Sequence, residues 1–233
     1  MTRLIVLLVG GLIIAPSAMR PNAQEAKGKY PVMAGIEQYR IADAAEEIAL
    51  ARSAAPASIS ADAEVLVLGS RGYESVVKGT NGFVCVVERS WAAGLDDPEF
   101  WNAKIRAPIC FNEPAAHTVL PRYLERTKWV LEGQSNAQIR ERVSAIVETK
   151  RFVYPERAAM CYMMAKGGYL NDMGKHWLPH LMFYLPRTDA PVLGGNLPGS
   201  PMLVRQGNPE PETVYLIPVR EWSDGSPAVA DHM

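Results

Sequence analysis

His176 and His180 stand four residues apart in His-Trp-Leu-Pro-His, an H-x3-H spacing. On a helical turn that spacing sets both imidazoles on one face, as a shared metal ion requires. Pro179 opposes a continuous helix here. On an extended strand the two rings would stand about 13 Å apart, too far to share an ion. A bent loop could reunite them, with Asp172 or His117 completing the set. The plainer expectation is that His180 opens a buried strand and bonds to backbone, that His176 lies at a loop surface, and that no metal is held. Cys161 is a second chemical candidate, as a thiolate activated by a histidine. Its neighbours Met160, Tyr162, Met163 and Met164 favour a small packed side chain instead. Ser75 and Lys78 match the S-x-x-K spacing of a serine nucleophile and its base. That pair needs a helical turn, and on the strand expected here an offset of three sends the two side chains to opposite faces. The chain has no G-x-S-x-G, H-E-x-x-H, P-loop or G-x-G-x-x-G. Trp91, Trp101 and Trp177 fall in expected loops, where tryptophan can line a ligand cleft. Core packing is the alternative for all three. The glycine-rich run Gly194-Gly195-Asn196-Leu197-Pro198-Gly199 reads as a loop at a sheet end and a candidate lid.

The N-terminus gives these residues an address. Arg3, the apolar run Leu4 to Ile14, and the small residues Ala15, Ser17, Ala18 and Ala23 follow the order of a secretory signal peptide. The apolar run is too short to span a bilayer. Residues 1–23 are therefore expected to be cleaved, leaving a secreted or periplasmic protein. They carry Arg3 and Arg20 and no acidic side chain, so the net charge of −1 becomes −3 on cleavage. That balance gives no basis for nucleic acid as a partner. No second apolar run approaches the length of a span, so no membrane crossing is expected after cleavage. An oxidising compartment favours disulfides. Cys85 ends an expected strand and Cys110 lies in the irregular stretch after it, so their pairing would staple loop to sheet and leave Cys161 over.

The elements that must position these groups read as α+β. Residues 24–34 form an N-terminal arm, and residues 35–233 form one domain. A helix is expected over 35–54, from the spacing of Ile36, Tyr39, Ala44, Ile48 and Ala51. Strands at 64–68, 73–77 and 83–87 read as an antiparallel meander, with Asn81-Gly82 at the second turn. Residues 90–122 read as irregular. Pro121 opens a helix to about Leu131. Ser135 and Gln138 form a capping box for the next, whose Ile139, Val143, Ile146 and Val147 face the core. Strands are expected at 159–165, 181–185, 202–205 and 214–219. The sum is an antiparallel sheet of six to seven short strands with three main helices.

Three segments carry a resemblance: Gly79-Thr80-Asn81-Gly82-Phe83-Val84-Cys85, Pro108-Ile109-Cys110 and Pro179-His180-Leu181-Met182. On these the chain resembles a set of exported bacterial proteins of unknown function, over roughly residues 35–222. The resemblance supports the Cys85–Cys110 pairing and a single domain, and implies no activity or cofactor. Some relatives carry a third histidine between the two found here. Leu178 stands at that place in this chain, against an essential three-histidine metal site.

The expectation is an exported soluble domain of unknown biochemical function, with small-ligand binding in a cleft beside the late histidine loop as the preferred reading. A hydrolase or metal-dependent enzyme centred on His180, with His176, Asp172 or Cys161, is the first alternative. A cell-envelope interaction protein is the second.

Overall fold

The computed structural model describes residues 28–228. The expected signal peptide, the start of the arm and residues 229–233 lie outside the described residues. Among the described residues eight strands form one mixed sheet: β1 (Glu64–Leu68), β2 (Tyr73–Val77), β3 (Val84–Glu88), β4 (Ala107–Phe111), β5 (Met160–Met163), β6 (His180–Pro186), β7 (Leu203–Gln206) and β8 (Glu212–Pro218). The order across the sheet is β2-β1-β3-β4-β5-β6-β8-β7.

The α+β class holds, but the all-antiparallel meander does not. β1 lies between β2 and β3, and β3 pairs with β1 in parallel, Val65 opposite Cys85. The reason is burial. β1 hides three of its five residues, whereas β2 exposes Glu74, Ser75 and Val76 and suits only an edge. The strand count rises to eight because Ala107–Phe111, expected to be irregular, is a fully buried central strand.

The helices are α1 (Ala44–Arg52), α2 (Ala57–Ser60), α3 (Glu113–Thr118), α4 (Leu120–Leu131) and α5 (Asn136–Glu148). The helix expected over 35–54 is broken. Ile36–Gln38 is one 3₁₀ turn, and α1 starts only where the Asp43 carboxylate accepts from the Ala45 N–H at 2.8 Å. α5 begins on the Ser135–Gln138 capping box, both reciprocal bonds being present. α4, α5 and the segment around Trp91 and Phe100 cover one sheet face, over Leu66, Val86, Ile109 and Phe111. α1 and the Ala54–Ala55 turn cover the other, over Val65, Cys85, Val87 and Cys110. Among the described residues no helix is long and apolar enough to cross a membrane.

Cys85 and Cys110 form a disulfide, with Cα atoms 4.0 Å apart. They are directly opposed in the β3–β4 ladder. The bond therefore joins two neighbouring strands rather than a loop to a sheet. Cys161 is a buried free thiol.

Candidate functional site

The sheet outruns its helices. α4 and α5 cover β1, β3 and β4, and between α4 and the β6-β8-β7 end lies a cleft of about 400 Å³. That is the size of a small-molecule site. Its floor is the sheet face carrying Phe111, Met182, Tyr184, Val214 and Leu216. Its wall is one stripe of α4, where Arg122, Tyr123 and Arg126 follow Val119 at helical spacing.

Glu88 lies at the inner end of the cleft as the last residue of β3. Strand alternation puts Val84, Val86 and Glu88 on the cleft face and Arg89 on the other. Arg89 is fully buried, and it is used up by Glu47 of α1, with Nη2 to Oε1 at 2.8 Å. Glu88 has no such partner. Its carboxyl makes no hydrogen bond or ion pair among the described residues and is partly open to the cleft. Burial against protein pushes its pKa up to about 8, with the Arg126 charge acting the other way. A carboxyl in that state can hold or release a proton near neutral pH.

The cleft arginines are already paired. Arg122 Nη2 donates to Glu212 at 2.7 Å, and Arg126 Nη2 donates to Glu210. Arg126 Nη1 also donates to the carbonyls of Trp91 and Ala93, each at 3.0 Å. These bonds fasten the β7–β8 hairpin tip to α4 across the mouth of the cleft. The Tyr123 hydroxyl accepts from the Arg89 N–H at 2.8 Å and meets Tyr73 Oη at 2.9 Å, so only its ring faces the cleft. Burial raises the pKa of both Tyr123 and Tyr184 well above the phenol range.

The residues singled out in the sequence lie elsewhere. His180 is buried at the start of β6, and its Nδ1 donates to the Leu178 carbonyl at 2.8 Å. Trp177 packs edge-on to its ring at 4.6 Å, while the His176 ring meets Trp222 at 5.6 Å. The space beside His176 and Trp177 is about 10 Å³, enough for no more than one water. Asp172 bonds to Lys29, to Tyr30 and Tyr169 at 2.6 Å each, and to Asn102 at 3.3 Å. The bonds from Lys29, Tyr169 and Tyr30 hold its carboxyl well below the carboxylate range. This latch pins the described part of the arm to the body.

The Cys161 thiol meets Tyr184 Oη at 3.3 Å, and burial holds it protonated. His117 is exposed on α3. Among the described residues no three His, Cys, Asp or Glu side chains converge on a metal position. Ser75 is exposed on β2, and Lys78 pairs with Glu64 at 3.6 Å. Trp91 is fully buried, its Nε1 donating to Thr127 at 2.9 Å, and Trp101 is buried against Phe100. Neither lines the cleft. In the Gly194–Gly199 loop, Asn196 bonds to both backbone groups of Val204, which ties the loop to β7.

Sequence reasoning missed Glu88, Arg122, Arg126, Glu210 and Glu212. One signal was present. Val-Cys-Val-Val-Glu is a buried-strand pattern whose final, inward-phased position carries an acid.

Compared with known proteins, the chain matches no family model, no curated protein and no solved structure.

Proposed function

We propose that the protein is an exported domain, akin to the uncharacterised bacterial set it resembles, that binds a small molecule in the cleft between α4 and the β6-β8-β7 end. One observation carries this reading: an unpartnered carboxyl, Glu88, at the inner end of a preformed cleft whose floor is apolar. Convergence of a titratable group with an apolar, concave surface is the usual mark of a ligand site. The signal-like N-terminus and the Cys85–Cys110 disulfide support the exported address.

The test is a fragment screen read by amide and methyl chemical shifts. Hits should move Met182, Tyr184, Val214 and Leu216 together. Hits that gather elsewhere, with these positions unmoved, would remove the reading. Intact-mass measurement of exported protein checks the address, since a mass that still includes Met1 to Ile14 would overturn it.

A second reading has its own observation. The opposite face of β6 and β8 carries an open apolar groove of about 380 Å³, lined by Phe183, Leu185, Leu193, Met202, Tyr215 and Ile217. Leu193 remains nearly half exposed there. Such a surface suits a protein partner in the cell envelope. Loss of a co-purifying partner on Leu193→Asp, with the fold intact, would favour it.

A further inference from the structure

The charged groups around the cleft do not all find partners among the described residues. Arg122 is matched by Glu212 and Arg126 by Glu210. Asp96, exposed at the rim, is matched by Arg140 of α5. Among the described residues Glu88 is left with no hydrogen bond or ion pair. Arg205 also lines the cleft without an ion pair among the described residues, but it is exposed on β7, with β4, β5, β6 and β8 lying between its strand and β3. α4 presents Arg126, Arg122 and Tyr123, and the hairpin presents Glu210 and Glu212. β2 brings Tyr73, β5 Cys161 and β6 Tyr184, all uncharged near neutral pH because burial raises each of them. Among the described residues Arg126 is the positive charge that acts on Glu88, and its guanidinium already donates to Glu210, Trp91 and Ala93. What Glu88 lacks is a cation paired with it, and the floor that leads to it is aromatic and aliphatic.

We propose that the cleft takes an organic ammonium ion with an apolar body, its charged end paired with Glu88 and its body laid on Phe111, Met182 and Tyr184. The proposal rests on the reading of this cleft as the ligand site. Desolvation raises the cost of a lone carboxylate and strengthens its pull on an incoming cation. The faces of Tyr123 and Tyr184 add attraction for positive charge. A carboxylate ligand would find Arg122 and Arg126 each already ion-paired, to Glu212 and Glu210. A lone divalent ion would find one carboxylate not already ion-paired and no three converging ligands among the described residues.

The pairing needs ionised Glu88, so binding displaces a proton wherever the free carboxyl still holds one. Below the pKa of about 8, affinity should therefore fall tenfold for each pH unit. Above it, affinity should level off. An anionic ligand accepting a hydrogen bond from protonated Glu88 would show the opposite slope.

The experiment is calorimetric titration of the intact protein with 2-phenylethylamine, 3-phenylpropionate and 2-phenylethanol, at about pH 6, 7 and 8.5. The expected result is that the amine binds best, about tenfold tighter at pH 7 than at pH 6, with proton release in this range. Glu88→Gln should lose at least about tenfold in amine affinity at pH 8.5 and most of its pH dependence, while thermal melting shows it folded. Tighter binding of 3-phenylpropionate, weakening as pH rises, would overturn the ammonium and keep the cleft as a ligand site. Amine binding that is indifferent to pH and to Glu88→Gln would overturn it as well. Failure of all three probes to bind, with the cleft resonances unmoved, would overturn both the proposal and the reading beneath it.

Discussion

Arg89 and Glu47 place a full ion pair in the interior, each side chain wholly buried. Arg89 Nε also donates to the Tyr39 carbonyl at 2.6 Å, and Nη1 donates to Val87. Glu47 Oε1 accepts from the Leu68 N–H at 3.2 Å, while its Oε2 has no hydrogen-bond partner among the described residues. Such a pair adds little net stability, but breaking it leaves a buried charge. Glu47→Ala should therefore cost about 3–5 kcal/mol in urea unfolding. Combined with Arg89→Met, the loss should fall well short of the sum of the two single changes. His180 gives a second outcome. Desolvation lowers its pKa from 6.5 to about 4, the bond to Leu178 opposing the shift. The unfolded chain then binds the extra proton between those values, so stability should be full above about pH 6.5 and fall as pH drops towards 4. The slope is at most about 1.4 kcal/mol per pH unit. His180→Asn should flatten that segment of the stability–pH curve. If the slope persists unchanged, His180 is not buried in its neutral form. His180 at the head of a strand was legible in the sequence because an apolar run follows it. The Glu88 cleft was not, because its members come from β3, α4, β8 and the β7–β8 hairpin tip, which meet only through the fold.

β4 shows why one strand stayed hidden. Ala-Pro-Ile-Cys-Phe has no alternation, since all five residues are buried, and proline in a central strand normally removes a ladder bond. Here no bond is lost. The N–H groups of Arg106 and Asn112 both point towards the β5 side, so by alternation the Pro108 nitrogen does too. On that side the ladder pairs only Cys110 and Phe111. The helices that carry explicit chemical punctuation, Ser135 with Gln138 and Pro121, were readable, because capping is local. Strand order was not, because the parallel β1–β3 contact depends on which strand can tolerate an exposed edge. The disulfide between β3 and β4 closes a segment of 25 residues. Its loss through Cys85→Ser should cost about 3.5 kcal/mol on the chain-entropy model, within a usual range of about 2–5. Denaturant midpoints with and without reductant test this. A difference below about 1 kcal/mol would show that the two strands hold equally well unlinked.

Across the molecule, stability should be graded from the middle of the sheet outwards. β3 and β4 are buried on both faces and cross-linked, whereas β7 is a four-residue edge strand with three exposed positions. Amide exchange should be slowest in Val86, Val87, Ile109 and Cys110 and fast in Leu203 to Gln206. Equal protection of β7 and β4 would contradict the gradient. The hairpin tip lies between these extremes, because the Arg122–Glu212 and Arg126–Glu210 pairs tie it to α4. Those pairs are only partly exposed, so added salt should loosen the tip less than it would a surface ion pair.

The pairing of β5 with β4 has a consequence for oxidative maturation. Tyr162 lies opposite Cys110, and Cys161 lies one place along, opposite Phe111. The pleat therefore holds the third sulfur on the far side of the sheet from the cystine, although the chain passes beside it. A slip of one residue would bring Cys161 across from Cys110 and offer its sulfur for thiol–disulfide exchange. Strand registration thus acts as a redox insulator, keeping the single cross-link of a three-thiol chain between Cys85 and Cys110.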